Sequence, residues 1–129
     1  MKSVIDILKE KRGFLFGKGV ADESISKAEK ELGVIFSDSY KAYLREYGIA
    51  AFSGHELTGI SKSDRTNVVN VTLKERETNN AVPKTFYVIE QTNIEGIVIW
   101  QTSTGEIYRT DPMSEPKKVY DSLEELVND

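Results

Sequence analysis

The sequence has no cysteine and a single histidine, His55, in 129 residues. The lack of thiols excludes disulfides, thiol nucleophiles, thiolate zinc sites and Cys-ligated iron–sulfur clusters built from this chain. One imidazole likewise excludes a histidine-rich metal centre within one chain, and no metal or cofactor is expected. Long apolar runs are also missing. The longest hold four residues, as in Ile97-Val98-Ile99-Trp100, against the ~20 that a membrane-spanning helix needs. The opening stretch Val4-Ile5-Asp6-Ile7-Leu8-Lys9-Glu10 is interrupted by charge and does not read as a signal-peptide core. A cytoplasmic protein without membrane contact is therefore expected. Nor is there an excess of cations. Lys and Arg total 17 against 21 Asp and Glu, a net charge of −4. Direct nucleic-acid binding, which needs clustered cations against phosphate, is not expected.

What is present is enough for one domain over residues 1–129, with 39% hydrophobic and 29% charged residues. The charge is uneven. Residues 1–64 carry ten of each sign, whereas residues 65–129 carry seven basic and eleven acidic. An acidic half of this kind attracts basic proteins and repels nucleic acid.

The first half reads as helices. Val4, Ile5 and Leu8 share one face of a short helix that ends before Gly13. The glycine-rich Gly13–Gly19 stretch reads as a loop anchored by aromatics. Asp22 or Ser24 is expected to cap a second helix carrying Ile25, Ala28, Glu29 and Leu32, closed by Gly33 in the left-handed conformation. Ser37 is expected to cap a third, with Tyr40, Tyr43, Leu44 and Tyr47 on one stripe and Gly48 at its end. The tyrosines are assigned to the core in preference to an interface, as is Trp100.

The second half reads mainly as strands. Ala51–Leu57 is expected to enter the sheet with a bend at Gly54. Residues 65–77 fit either period, and the run Lys74-Glu75-Arg76-Glu77 favours a helix. Phe86–Glu90, Gly96–Gln101 and Glu106–Arg109 form a meander pattern, and Pro112 and Pro116 break the chain after it. Ser122-x-x-Glu125 is a capping box for a last helix with Leu123, Leu126 and Val127 inward. The expectation is an α+β fold, with N-terminal helices packed on a mainly antiparallel sheet and a C-terminal helix.

No catalytic set is expected. Ser53, His55 and Asp64 lie near one another in sequence, but no strand–elbow–helix context surrounds the serine. Glu90, Glu95, Glu106 and Asp111 lie on or beside the meander, and 21 acids make such coincidences ordinary. Gly13-x-x-x-Gly17-Lys18 is one residue short of a phosphate-binding loop and has no clear strand before it.

One segment is more specific. Ile25-Ser26-Lys27-Ala28-Glu29-Lys30-Glu31-Leu32-Gly33, followed by Tyr40-Lys41-Ala42-Tyr43-Leu44 and Gly48, resembles the opening signature of the SUKH (Smi/Knr-like) superfamily. That signature is an Ile…Ala-Glu…Leu-Gly helix, a Leu-Pro turn, then Tyr-Lys…Phe-Leu…Asn-Gly. Phe36-Ser37 replaces Leu-Pro, Tyr43 replaces phenylalanine and Tyr47-Gly48 replaces Asn-Gly, with the capping logic kept. Asn67-Val68-Val69, Thr72, Arg76, Pro83, Phe86–Ile89 and the final helix keep the family's order. The Gly54–Ile60 block looks like a bacterial subgroup of short immunity proteins. The resemblance implies an immunity protein that binds a cognate polymorphic toxin, commonly a basic nuclease domain, and occludes it without chemistry. The residues expected at that interface are His55, Glu56, Glu95, Glu106, Tyr108 and Asp111. The alternatives are a regulatory interaction scaffold of the fungal type and a hydrolase using His55 or the carboxylates. The oligomeric state is left open.

Overall fold

The N-terminal half folds as helices because short-range signals agree there. In the computed structural model, which describes residues 2–112 and 114–129, α1 spans Val4–Lys9, capped by the Ser3 hydroxyl, which accepts from the Asp6 amide. Val4, Ile7 and Leu8 are its buried residues, with Ile5 at the margin. Helix α2 is Asp22–Leu32 and buries Ile25, Ala28 and Leu32. Gly33 ends it at φ 68°, a conformation that glycine adopts without a Cβ penalty. The expected caps Asp22 and Ser24 are both inside the helix. Its N-cap is Ala21, which offers no side-chain acceptor, and the acids Asp22 and Glu23 in the first turn favour that end electrostatically. Helix α3 is Asp38–Glu46 and Ser37 caps it as expected, accepting from the Tyr40 amide at 3.1 Å.

Between α1 and α2, residues Leu15–Phe16 form a two-residue strand, β1, inside what reads locally as a glycine loop. It pairs with β2 (Ala50–Phe52), and β2 with β3 (His55–Leu57), all antiparallel. The expected single strand bent at Gly54 is therefore a hairpin. Ser53 and Gly54 occupy its two-residue turn at φ 46° and 83°, a double left-handed geometry that matches the twist of the flanking strands.

Residues 68–78 settle as a helix, α4 (Val68–Thr78), capped by Asn67. Strands β4 (Tyr87–Gln91), β5 (Val98–Gln101) and β6 (Ile107–Asp111) form the expected meander. A fourth strand, β7 (Ser114–Tyr120), completes an antiparallel sheet of order β4-β5-β6-β7. Pro116 does not break the chain there. Edge strands tolerate a residue with no amide to donate, and Lys117 and Lys118 blunt the same edge against further pairing. The last helix, α5 (Leu123–Asn128), starts at the Ser122 cap, with Glu125 accepting from the Asp121 amide at 2.6 Å.

Each face of the four-stranded sheet has its own core. Tyr87, Ile89, Ile99 and Ile107 meet the helices, together with Leu8, Leu32, Tyr40, Tyr43, Leu44 and Leu123. Val88, Val98 and Trp100 pack with Val71, Val82 and Phe86 on the other face. The tyrosine stripe is core, as expected: Tyr40, Tyr43 and Tyr47 are buried. Their hydroxyls still need partners. The Tyr40 hydroxyl lies 2.8 Å from that of Thr58, and the Tyr43 hydroxyl donates to the Thr58 carbonyl at 2.8 Å. Burial pushes both phenols far above their ordinary range.

Candidate partner-binding face

Strand β3 alternates, so its neighbours in sequence face opposite ways. His55 lies beside Phe52, with ring centroids 5.4 Å apart. Its Nδ1 is 3.0 Å from Glu90 Oε2. Glu90 is buried on β4 and His55 half-exposed, so the imidazole is the partner that keeps this carboxylate from being orphaned. Glu56 points outward and forms a two-pronged ion pair with Arg65.

Beyond Glu56 lies a groove of about 300 Å³ with a mixed polar and apolar lining. Asp64 and Arg65 form one wall, Asn70, Lys74 and Glu75 of α4 another, and Gln91 with Asn93 the third. Its walls are cross-braced. Asn70 donates to Asp64 at 2.8 Å, and Gln91 donates to Glu75 at 2.6 Å.

The β4–β5 turn rises at the rim. Asn93 and Glu95 sit at φ 59° and 52°, left-handed conformations that disfavour a β-carbon and recur where strain is held for function. The Asn93 amide donates to Gln91 Oε1 at 2.8 Å, and the Thr92 hydroxyl to the Ile97 carbonyl at 2.8 Å. The turn thus holds Ile94, 62% exposed, and the exposed Glu95 at its tip. Gly96 backs the turn against the β6–β7 connection, where a Cβ would meet Pro112 Cγ at 2.7 Å.

Of the residues expected at an interface, His55, Glu56 and Glu95 cluster at this end, and the Gly96–Pro112 contact brings Asp111 alongside. Tyr108, half-buried on β6, packs tilted on Phe86 at 4.8 Å against the second core. Glu106 lies at the opposite end of the sheet, after the β5–β6 turn. Thr102 donates to it at 2.7 Å, and Thr104 donates as well. Those hydroxyl bonds, helped by its own backbone and Lys118, hold its carboxyl down at about 2 against an ordinary 4.5. Since the folded value is the lower one, the stabilisation is complete above 4.5 and is lost as pH falls from there towards 2. Replacing Thr102 and Thr104 by alanine is expected to return the Glu106 titration towards 4.5, read by carboxyl-carbon NMR. A midpoint left near 2 would show that the hydroxyls are not the cause.

Sequence reasoning missed Ile94, Asp64 and Glu75 as parts of this rim. The alternation of Asn93 and Gly96 around two polar-flanked positions was a usable signal for a left-handed turn. Nothing local tied α4 to β3. The imagined triad is not assembled. His55 Nδ1 faces Glu90, the Ser53 hydroxyl reaches the Arg12 carbonyl at 3.5 Å, and Asp64 is held by Asn70. Glu90, Glu95 and Glu106 are likewise dispersed: one is paired with His55, and the other two sit at opposite ends of β5. Among the described residues, no group of three or more His, Asp or Glu is arranged to hold a metal ion, and no helix is long and apolar enough to cross a membrane. What this end offers is a braced, mixed-charge groove with an acidic and apolar turn beside it, a surface suited to recognition.

No curated protein matches the chain. A family model does: SUKH_5, described as SMI1-KNR4 cell-wall, matches residues 1–129, and the chain belongs to this SMI1-KNR4 family of the SUKH superfamily.

Proposed function

We propose that this SUKH protein is an immunity protein. It binds a cognate toxin domain, a basic nuclease being the best fit, and blocks it by one-to-one occlusion without catalysis. The observation that carries this reading is the family match over residues 1–129, because the small bacterial members of this superfamily are implied to be immunity proteins. The site supports it. Glu56, Asp64 and Glu75 outnumber Arg65 and Lys74 around the groove, and the strained turn presents Glu95 beside an exposed isoleucine. Carboxylates around a small apolar anchor are what a cationic nucleic-acid-binding surface would meet. His55, Glu106, Tyr108 and Asp111 remain proposed contacts, with Asp111 beside the turn and Glu106 as its far limit. The word cell-wall in the family's description favours a second reading, a regulatory scaffold using the same surface.

Co-expression with any toxin domain encoded beside this gene separates the two. Rescued growth with a co-purifying complex supports immunity, and continued killing moves the scaffold reading ahead. For the charge argument, Asp64→Lys/Glu95→Lys is expected to slow association about tenfold or more at low salt, within the usual range of electrostatic steering. The difference should shrink as salt screens it. Equal association rates at low salt would remove the acidic rim from the interface. Glu106→Lys reports on whether the contact extends along the whole sheet.

A further inference from the structure

The three-stranded sheet is closed on one side and open on the other. Past β3 the chain runs on to β4, where the Thr58 amide donates to the Ile89 carbonyl at 2.8 Å. On the far side β1 is the last strand, and no described strand lies beyond it. We propose that this open edge of β1 docks an extended, acidic segment of another protein, which adds as a fourth strand beside Leu15–Phe16. This inference does not rest on the toxin reading, and the surface beside β1 borders the groove described above, sharing Glu56, Leu57 and Thr66 with it.

Three observations support it. Leu15 is 70% and Phe16 61% exposed, a contiguous apolar pair on a strand edge that folded proteins usually blunt or cover. Phe16 is not loosely held. Its ring stacks on that of Phe14 at 5.1 Å and packs tilted against that of Tyr47 at 5.2 Å, so little of its side-chain entropy remains to be lost on binding. Beside the strand lies a depression of about 220 Å³, lined by Leu15, Phe16, Ile49, Ala51 and Leu57, and by Glu56, whose carboxylate is already paired with Arg65. Such a pocket would take alternate side chains of an added strand, while backbone hydrogen bonds supply register.

Charge chooses the occupant. Residues 9–18 hold Lys9, Lys11, Arg12 and Lys18 against Glu10 alone, a local charge of +3 on a chain of −4. Glu10 is already paired with Lys2. Among the described residues, none of Lys11, Arg12 and Lys18 is in an ion pair. A second copy pairing edge to edge would bring the same three cations and be repelled. An extended segment that alternates apolar residues with carboxylates satisfies both features of the edge.

The test uses the full chain, isotope-labelled, titrated with an end-blocked octapeptide of alternating Glu and Val. Amide shifts are expected at Leu15, Phe16 and Gly17 and at the paired Ala50 and Ala51, with affinity falling as salt rises. Leu15→Ser/Phe16→Ser, at exposed positions, is expected to lose binding while keeping a dispersed spectrum. Lys11→Glu/Lys18→Glu keeps the apolar atoms and is expected to transfer the preference to a Lys–Val peptide. The proposal is overturned if the peptide causes no shifts at β1, if Glu–Val and Lys–Val peptides bind equally, or if the free chain dimerises through this edge. Shifts at β1 caused only by anionic lipid vesicles would overturn it too.

Discussion

Gly59→Ala is expected to cost at least ~3 kcal/mol, at or beyond the top of the usual range for overpacking a tight site. An alanine Cβ would lie 1.7 Å from the Gly48 carbonyl oxygen and 2.7 Å from Ile49 Cγ2. The first of these is backbone, so no rotamer change relieves it. Neither strand of backbone is free to retreat. Gly59 donates to Thr66 O at 2.9 Å and accepts from the Val68 amide at 2.7 Å, while Gly48 accepts from the Ile60 amide at 3.1 Å. Gly48 is itself wedged, since its own Cβ position is 2.3 Å from Lys18 O at φ 75°. Three chain segments therefore meet with only hydrogen atoms between them. Against a total stability of ~5–15 kcal/mol, the variant should melt ~10 °C or more below the parent by calorimetry. A shift of one or two degrees would mean that this contact relaxes easily.

The second large effect is expected at Gln101, a buried polar side chain between the helices and the four-stranded sheet. Its Oε1 accepts from the Tyr87 hydroxyl at 2.8 Å and from the Ser37 hydroxyl at 3.1 Å, and its Nε2 donates to Gly105 O at 3.0 Å. The Tyr87 hydroxyl in turn accepts from the Ser37 amide at 2.8 Å. The network thus ties the cap of α3 to β4 and β5. Gln101→Leu keeps the volume and strands two hydroxyls and a carbonyl, each worth ~1–3 kcal/mol when buried unsatisfied. A loss of ~3–5 kcal/mol by urea denaturation is expected. Tyr87→Phe, which orphans the Ser37 amide, should cost less, ~1–3 kcal/mol. Because the two side chains share one network, the double variant should lose less than the sum of the singles. Strict additivity would show that the groups act independently.

Helix identity was legible where the controlling interactions are local. Ser37 and Ser122 cap within three residues, and Gly33 follows its helix directly. The periodicity of Tyr40, Tyr43 and Leu44 places them inward without knowledge of what they meet. The meander could be read for the same reason, from β-rich runs between short polar turns. Two strands escaped. Strand β1 is only Leu15–Phe16, exposed on both residues, and exists because Ala50 and Ala51 lie opposite it. Strand β7 carries Pro116, and only its edge position, decided by β6, makes that tolerable.

By itself, the sequence determined the thiol chemistry this chain lacks, the α+β class, the Ser37 and Ser122 helix caps and the family signature. All of these depend on composition or on residues a few positions apart. Only the tertiary structure decided which carboxylates share a surface. Glu56, Asp64 and Glu75 converge, Glu90 is withdrawn against His55, and Glu95 and Glu106 are separated by the length of β5. It also decided that Leu15 and Phe16 stay outside while Tyr47, flanked by Phe14 and Phe16, goes in. Partner surfaces are assembled from chain segments tens of residues apart, and that juxtaposition arises from packing both faces of one sheet, which no local pattern encodes.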